Sequence, residues 1–180
     1  MQHNMAIIGF GGMGSFHYKN LLKEQEIVCT GVWDIKPERR EYAAGLGLHV
    51  YSGLEDLLAD DSIEIVLIAT PNDVHHPIAI QALAAGKHVI CEKPVALTLR
   101  DINEILDAAD AAGKKFYPTQ TGRFTNANMT LKKWIDDGLL GKVYFIDLDI
   151  VRRRGIPTPH GTSFIEDATA GIGALGDIGC

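Results

Sequence analysis

The sequence predicts an α/β protein built on a doubly wound parallel sheet, followed by the beginning of an α+β domain. Three observations predict it. Short apolar runs alternate with amphipathic stretches through residue 122, the pattern of consecutive βαβ units. One run, Ile63–Ala69 (IEIVLIA), is nearly continuous in apolar residues, as a parallel strand covered on both faces requires. A glycine-rich turn, GFGGMG, lies between the first apolar run and the first amphipathic stretch.

The elements follow in order. Met5–Gly9 (MAIIG) reads as a buried first strand ending at glycine, and Met13, Phe16, His17, Asn20 and Leu21 then fall on helical spacing. Ile27–Trp33 (IVCTGVW) is the second strand. Pro37 suits the first turn of the next helix, and Gly45 and Gly47 suit its end. After the buried strand at 63–69, a helix over Val74–Ala85 closes on Gly86, and His88–Cys91 (HVIC) is the next strand. Thr98 with Asp101 has the form of a capping box. It opens a helix striped by Leu99, Ile102, Ile105, Leu106 and Ala109 and ended by Gly113. Phe116–Thr119 is the sixth strand.

Beyond Gly122 the rhythm changes. A helix around Met129–Asp136 leads into Lys142–Val151 (KVYFIDLDIV), whose alternation suits an antiparallel sheet. Arg152, Arg153, Arg154, Pro157 and Pro159 mark a loop ahead of GIGALGDIGC. One strand and one helix cannot bury a face by themselves, so residues 123–180 are expected to be an incomplete second domain after a complete one at 1–122.

Of the 180 residues, 46% are hydrophobic and 22% charged, which suits a globular chain rather than a disordered one. A net charge of −6 offers no basic footprint for a phosphate backbone, which argues against nucleic acid as a partner. Cys29, Cys91 and Cys180 are scattered and form no CxxC pair, so neither a disulfide framework nor a zinc site is expected. The N-terminus lacks the pattern of a signal peptide, and no apolar run reaches membrane-spanning length. These features fit a reduced, cytoplasmic protein.

Gly9, Gly11 and Gly14 have the GxGxxG spacing directly after a strand and before a helix, and with Phe10, Gly12 and Met13 they form a candidate dinucleotide-binding loop. Gly9 permits the turn, Gly11 lets backbone approach a pyrophosphate, and Gly14 lets helix and strand pack closely. The helix N-terminus offers unpaired N–H groups and partial positive charge to the phosphates. Asp34, 20 residues past Gly14 at the end of the second strand, stands where a ribose-binding acid belongs in a Rossmann fold. Its other reading is a helix-start charge ahead of Pro37. A carboxylate there favours NAD over NADP, although Lys36, Arg39 and Arg40 follow closely and offer charge for a 2′-phosphate.

ATPNDVHH and AGKHVICEKPVAL together resemble the glucose–fructose oxidoreductase/inositol dehydrogenase family (Gfo/Idh/MocA). The family's EKP signature matches Glu92, Lys93 and Pro94, and its TPN-x-x-H stretch matches Thr70, Pro71, Asn72 and His75. Arg123–Phe124 and Gly173–Gly179 (GALGDIG) match as well. The resemblance covers essentially the whole chain but only the N-terminal half of a typical member. It implies an enzyme moving hydride between a nicotinamide and a hydroxyl-bearing carbon of a sugar, cyclitol or related polyol, homo-oligomeric when full length. It makes Lys93 the candidate proton-handling residue and a candidate substrate contact, and Thr70, Pro71, Asn72, His75, Glu92, Lys93 and Pro94 candidate cofactor contacts. Lys93–Pro94 becomes a candidate cis peptide. Asp177 matches the aspartate of a D-x-G-x-H motif, a candidate catalytic and substrate-binding residue whose histidine would follow Cys180. Arg123 is a candidate substrate contact, and Arg152–Arg154 resemble a loop near the sugar site or, without the family, a solvated charge run.

Plainer readings stand beside these. His17, on the inner face of the first helix, suits core packing or a backbone hydrogen bond. His75 suits either capping or cofactor contact, and His76 a solvated position. Leu131 and Trp134 suit a core, and Cys91 a small buried hydrophobe. A protein of another class, a non-catalytic dinucleotide-binding or redox-sensing one, would keep the glycine loop and Asp34 but have no use for Lys93.

Overall fold

The computed structural model describes residues 2–147 and residue 149. Among them, one compact unit ends at Thr119 and another begins at Gln120. The first carries β1 (His3–Ile8), α1 (Gly12–Leu21), β2 (Ile27–Trp33), α2 (Pro37–Gly45), β3 (His49–Val50), α3 (Leu54–Ala59), β4 (Ile65–Ile68), α4 (His75–Ala84), β5 (His88–Cys91), α5 (Leu99–Ala112) and β6 (Phe116–Pro118). The strands form one sheet in the order β3-β2-β1-β4-β5-β6, with every pair parallel. That is the doubly wound Rossmann arrangement. Because β1 lies between β2 and β4, the strand order reverses there and leaves a crevice at the carboxyl ends.

Alternation along each strand divides the core in two. Met5, Ile7, Val32 and Leu67 face one way, joined by Phe10, Ala43 of α2, and Tyr18 and Leu21 of α1. Ala6, Ile8, Val66, Ile68, Val89 and Cys91 face the other way, against Leu57 of α3, Ala79 and Leu83 of α4, and Ile105 and Ala109 of α5. Both faces of β1 and β4 are therefore buried, which explains their near-continuous apolar sequences.

The expected boundaries of β2 and β5 match the structure, and β1 begins two residues earlier than expected. Thr98 Oγ1 accepts the Asp101 N–H at 3.1 Å to open α5, and Gly113 ends that helix in the left-handed region (φ 63°). Strand β3 and helix α3 are not among the elements the sequence predicts.

A polar knot holds the turn after α3. Asp60 accepts hydrogen bonds from the Tyr51 hydroxyl at 2.6 Å and the Ser62 N–H at 2.8 Å, while Lys87 Nζ donates to its carbonyl at 2.7 Å. Hydrogen bonds from the Ser62 side chain, then from Tyr51, hold the Asp60 carboxyl down at about 2, below its ordinary 3.8. A lowered folded-state value gives stability that is complete above the ordinary carboxylate range and is lost as pH falls toward 2. Denaturant melts between pH 5 and pH 2 should therefore show falling stability, and Asp60→Asn should flatten that fall. An unchanged slope in the variant would remove Asp60 from the acid response.

In the second unit, a 3-10 turn at Thr121–Phe124 precedes α6 (Asn126–Asp136). Thr125 Oγ1 caps α6 through the Asn128 N–H at 3.3 Å, which starts the helix three residues before the expected Met129. Leu131 and Trp134, expected in a core, are 42% and 47% exposed; α6 is amphipathic, and among the described residues nothing in its own unit buries its apolar face. Residues 142–147, expected in a long strand, form none, and Tyr144 is 93% exposed. Alternation decides which way side chains would point, but a strand exists only where its N–H and C=O groups find a ladder partner. Leu148, Ile150, Val151, Arg152–Arg154 and Asp177 lie outside the described residues.

Candidate functional site

Parallel strands bring their carboxyl ends to one edge, so the segments after β1, β2, β4 and β5 gather there: Gly9–Gly14, Asp34, Thr70–His75 and Glu92–Pro94. Gly9 leaves β1 with φ 88°, and a Cβ on it would come within 2.7 Å of the Ala69 carbonyl oxygen. The turn is therefore closed to side chains twice over, by conformation and by space. Gly14 is tighter still, since a Cβ there would stand 2.0 Å from the Gly9 oxygen. At Gly11 a Cβ would meet nothing within 4 Å, so its backbone faces open space. No side chain caps α1, whose first turn begins beside that opening.

Asp34 is 8% exposed and reaches back across the turn. Its Oδ2 accepts the Phe10 N–H at 2.6 Å and its Oδ1 the Lys36 N–H at 2.8 Å. Each oxygen keeps a further lone pair for another donor. Arg40 Nη1 donates to the carbonyls of Asp34 and Ile35, which draws that guanidinium onto the β2–α2 turn. Phe10, grouped with the cofactor loop on sequence, turns inward: it is fully buried, against Tyr18 and Tyr42. Met13 is 45% exposed.

His75 departs from both of its expected roles. It caps no helix and is fully buried, so it presents no surface to a ligand. Nδ1 lies 2.7 Å from the Pro94 carbonyl and Nε2 lies 2.9 Å from the Thr70 carbonyl. The ring thus ties the loop after β4 to the loop after β5. Asn72 opens a 3-10 turn (Asn72–Val74) following Pro71. His76, expected in solvent, is partly buried, with Nε2 3.0 Å from a Glu104 carboxylate oxygen of α5 but without hydrogen-bond geometry.

Glu92 is 6% exposed. Its Oε1 lies 2.6 Å from His17 Nε2, and its Oε2 accepts the Lys93 N–H at 3.1 Å. Burial by itself would raise the Glu92 carboxyl, but the hydrogen bond and charge of His17 help to outweigh burial and hold it below its ordinary value. His17 therefore has as its hydrogen-bonding partner not a backbone group but a carboxylate 75 residues away, and its ring also meets Phe16 edge-on at 5.9 Å. No spacing rule links the two positions. The available signal was an acid at the end of a buried strand, which needs a partner. The Lys93–Pro94 peptide is cis, as the family resemblance implied. Cys91 is fully buried, and burial followed by the neighbouring Glu92 charge pushes its thiol well up, which suits an inert core residue. Arg123 lies exposed in the 3-10 turn of the second unit.

The family model for the oxidoreductase family with an NAD-binding Rossmann fold (Gfo/Idh/MocA) matches residues 3–120. An inositol 2-dehydrogenase/D-chiro-inositol 3-dehydrogenase of Lactiplantibacillus plantarum is 33% identical over 148 residues, covering 79% of this chain and 42% of that protein. The crystal structure of an NAD-binding protein from Listeria innocua matches with TM-score 0.73 and 41% identity, covering 79% of this chain and 42% of its own. WlbA dehydrogenase from Bordetella pertussis, solved with NADH and UDP-GlcNAcA, matches with TM-score 0.76 and 27% identity over 80% of this chain and 45% of its own. The chain spans less than half the length of each of these relatives. Among the described residues, no helix is long and apolar enough to cross a membrane.

Proposed function

The chain belongs to the Gfo/Idh/MocA oxidoreductase family, and on that premise we propose that it is the cofactor-binding part of a dehydrogenase acting on a hydroxyl-bearing carbon of a sugar, cyclitol or related polyol. The observation that carries the reading is the meeting, at one sheet edge, of the open Gly11 backbone, the uncapped α1 N-terminus, Asp34 and the Lys93 loop. These residues fit a dinucleotide. The α1 N-terminus and the loop N–H groups suit a pyrophosphate, and the free lone pairs of Asp34 suit ribose hydroxyls. A bound nicotinamide supplies the hydride acceptor or donor. Lys93 handles the proton: as a neutral amine its Nζ takes the hydroxyl proton while hydride leaves the carbon, so the product is a ketone rather than its protonated form. In the reverse direction its ammonium returns that proton. Asp177 and Arg123 are proposed to contact substrate, with residues 123–180 beginning the substrate domain of a homo-oligomer. Free Cys29 and Cys91 suit a reducing cytoplasm.

Asp34 supports NAD over NADP, because a buried carboxylate repels a 2′-phosphate and Arg40 is already engaged with two carbonyls. In calorimetric titrations of the 180-residue protein, NADH should bind at least about tenfold more tightly than NADPH, a difference of about 1.4 kcal/mol. Tighter NADPH binding would move the specificity to Lys36, Arg39 and Arg40. Binding of neither by folded protein would defeat the dehydrogenase reading.

A further inference from the structure

We propose that His76, Asp101 and Glu104 form a binding site for a single divalent ion of the Zn²⁺ class, which staples the start of α4 to the start of α5.

Two helices supply the ligands. Helix α4 follows β4 and α5 follows β5, parallel neighbours in the sheet, so both helices begin at the carboxyl edge and pack on the same face. Successive side chains on a helix diverge by ~100°. With His75 turned inward to the Thr70 and Pro94 carbonyls, His76 is left to face α5. On α5, Asp101 and Glu104 stand three residues apart and share a face. Thr98 Oγ1 accepts the Asp101 N–H, which fixes the turn carrying that acid. One ring nitrogen of His76 and one carboxylate oxygen from each acid all lie within 4.8 Å of one another. No spacing in the sequence announces this group, because only the packing of α4 beside α5 assembles it.

The surroundings of His76 Nε2 point to an ion. The atom is buried and has no hydrogen-bond partner, although a Glu104 oxygen lies 3.0 Å away. A buried polar atom left unpaired is costly. Two donors on one ion aim at the ion and not at each other, and bonds of about 2.0–2.2 Å meeting at about 90–110° leave them about 2.8–3.6 Å apart. A close approach without hydrogen-bond geometry has that form. An imidazole with two carboxylates suits Zn²⁺ better than Mg²⁺ or Ca²⁺, which prefer oxygen ligands, and the two carboxylates balance the ion's charge. Arg100 Nε competes for both acids at 3.7 Å, but its side chain is 81% exposed and such a contact is weak. The segment joining β5 to α5 carries Lys93, so an ion here would brace the helical end of that segment.

Calorimetric titration of the metal-free 180-residue protein with zinc chloride, paired with thermal melts, tests the assignment. One saturable equivalent should bind and raise the melting temperature, as a ligand selective for the folded state does. Glu104→Gln and His76→Gln should each weaken binding at least about tenfold, since even changes outside the ligand shell cost that much. Both should also abolish the rise in melting temperature, and a large excess of Mg²⁺ should not displace the ion from the wild type. Absence of saturable binding would overturn the proposal. So would wild-type Zn²⁺ affinity in either variant, which would place the ion elsewhere, or ready displacement by Mg²⁺, which would remove the imidazole from the ligand set. If His76→Gln fails to fold, Glu104→Gln decides alone, because the Glu104 side chain is half exposed and its loss leaves the core intact.

Discussion

Replacing Lys93 with methionine is expected to lower the proposed dehydrogenase turnover by about 10²–10⁴-fold, the usual contribution of a positioned acid or base. Methionine keeps an unbranched stem on the loop after β5 and removes only the amine proposed to carry the proton. Hydride removal from an alcohol carbon without a base would leave a protonated ketone, so the loss should fall on the chemical step. NADH affinity and the melting temperature should stay near wild type, since Asp34, the glycine turn and the α1 N-terminus are untouched. Steady-state rates with a panel of polyols and sugars, alongside calorimetry, provide the measurement. Wild-type turnover in the variant would take proton handling away from Lys93. No turnover by either protein, with NADH binding retained, would favour a redox-sensing role.

Gly14→Ala should cost about 3 kcal/mol or more, at the upper end of overpacking, and lower the melting temperature by about 10 °C. The added methyl would stand 2.0 Å from the Gly9 oxygen and 3.3 Å from Ile7 Cγ2. The first obstacle is backbone, which no rotamer change relieves, so α1 would have to lift away from β1. Gly11→Ala is the matched control. Its methyl meets nothing within 4 Å, so thermal stability should hold while NADH binding weakens, because that space is where a pyrophosphate would approach. Equal melting temperatures for the two variants would show that the helix–strand contact is looser than the distances require.

The difference between these glycines marks what is legible in a sequence. Their spacing, with Asp34 following, predicted strand, turn and helix correctly, because each step is governed by neighbours along the chain. The doubly wound sheet followed from runs such as Ile63–Ala69 for the same reason. Strand β3 has only two residues, too few to show any period, and is recognised by its partner β2 alone. Helix α3 did carry a signal, with Leu54, Leu57 and Leu58 at i, i+3 and i+4, but its six residues fall below the length at which that pattern stands out. Side-chain partners were harder to read. The contact of His75 with Pro94 and that of His17 with Glu92 are made by groups that only the strand order brings together. The run at 142–147 shows the converse: strong alternation where, among the described residues, no ladder forms.

The two backbone hydrogen bonds on Asp34 also shape the thermodynamics of ligand capture. A free aspartate samples several rotamers, and a ligand that needs one of them must meet the cost of selecting it. Here the Phe10 and Lys36 N–H groups have already made the selection, so that entropy is lost once, when the chain folds. A ribose docking on this carboxylate would meet a preorganised acceptor, and a glutamate in its place would add a rotatable bond that the two N–H groups are not spaced to restrain.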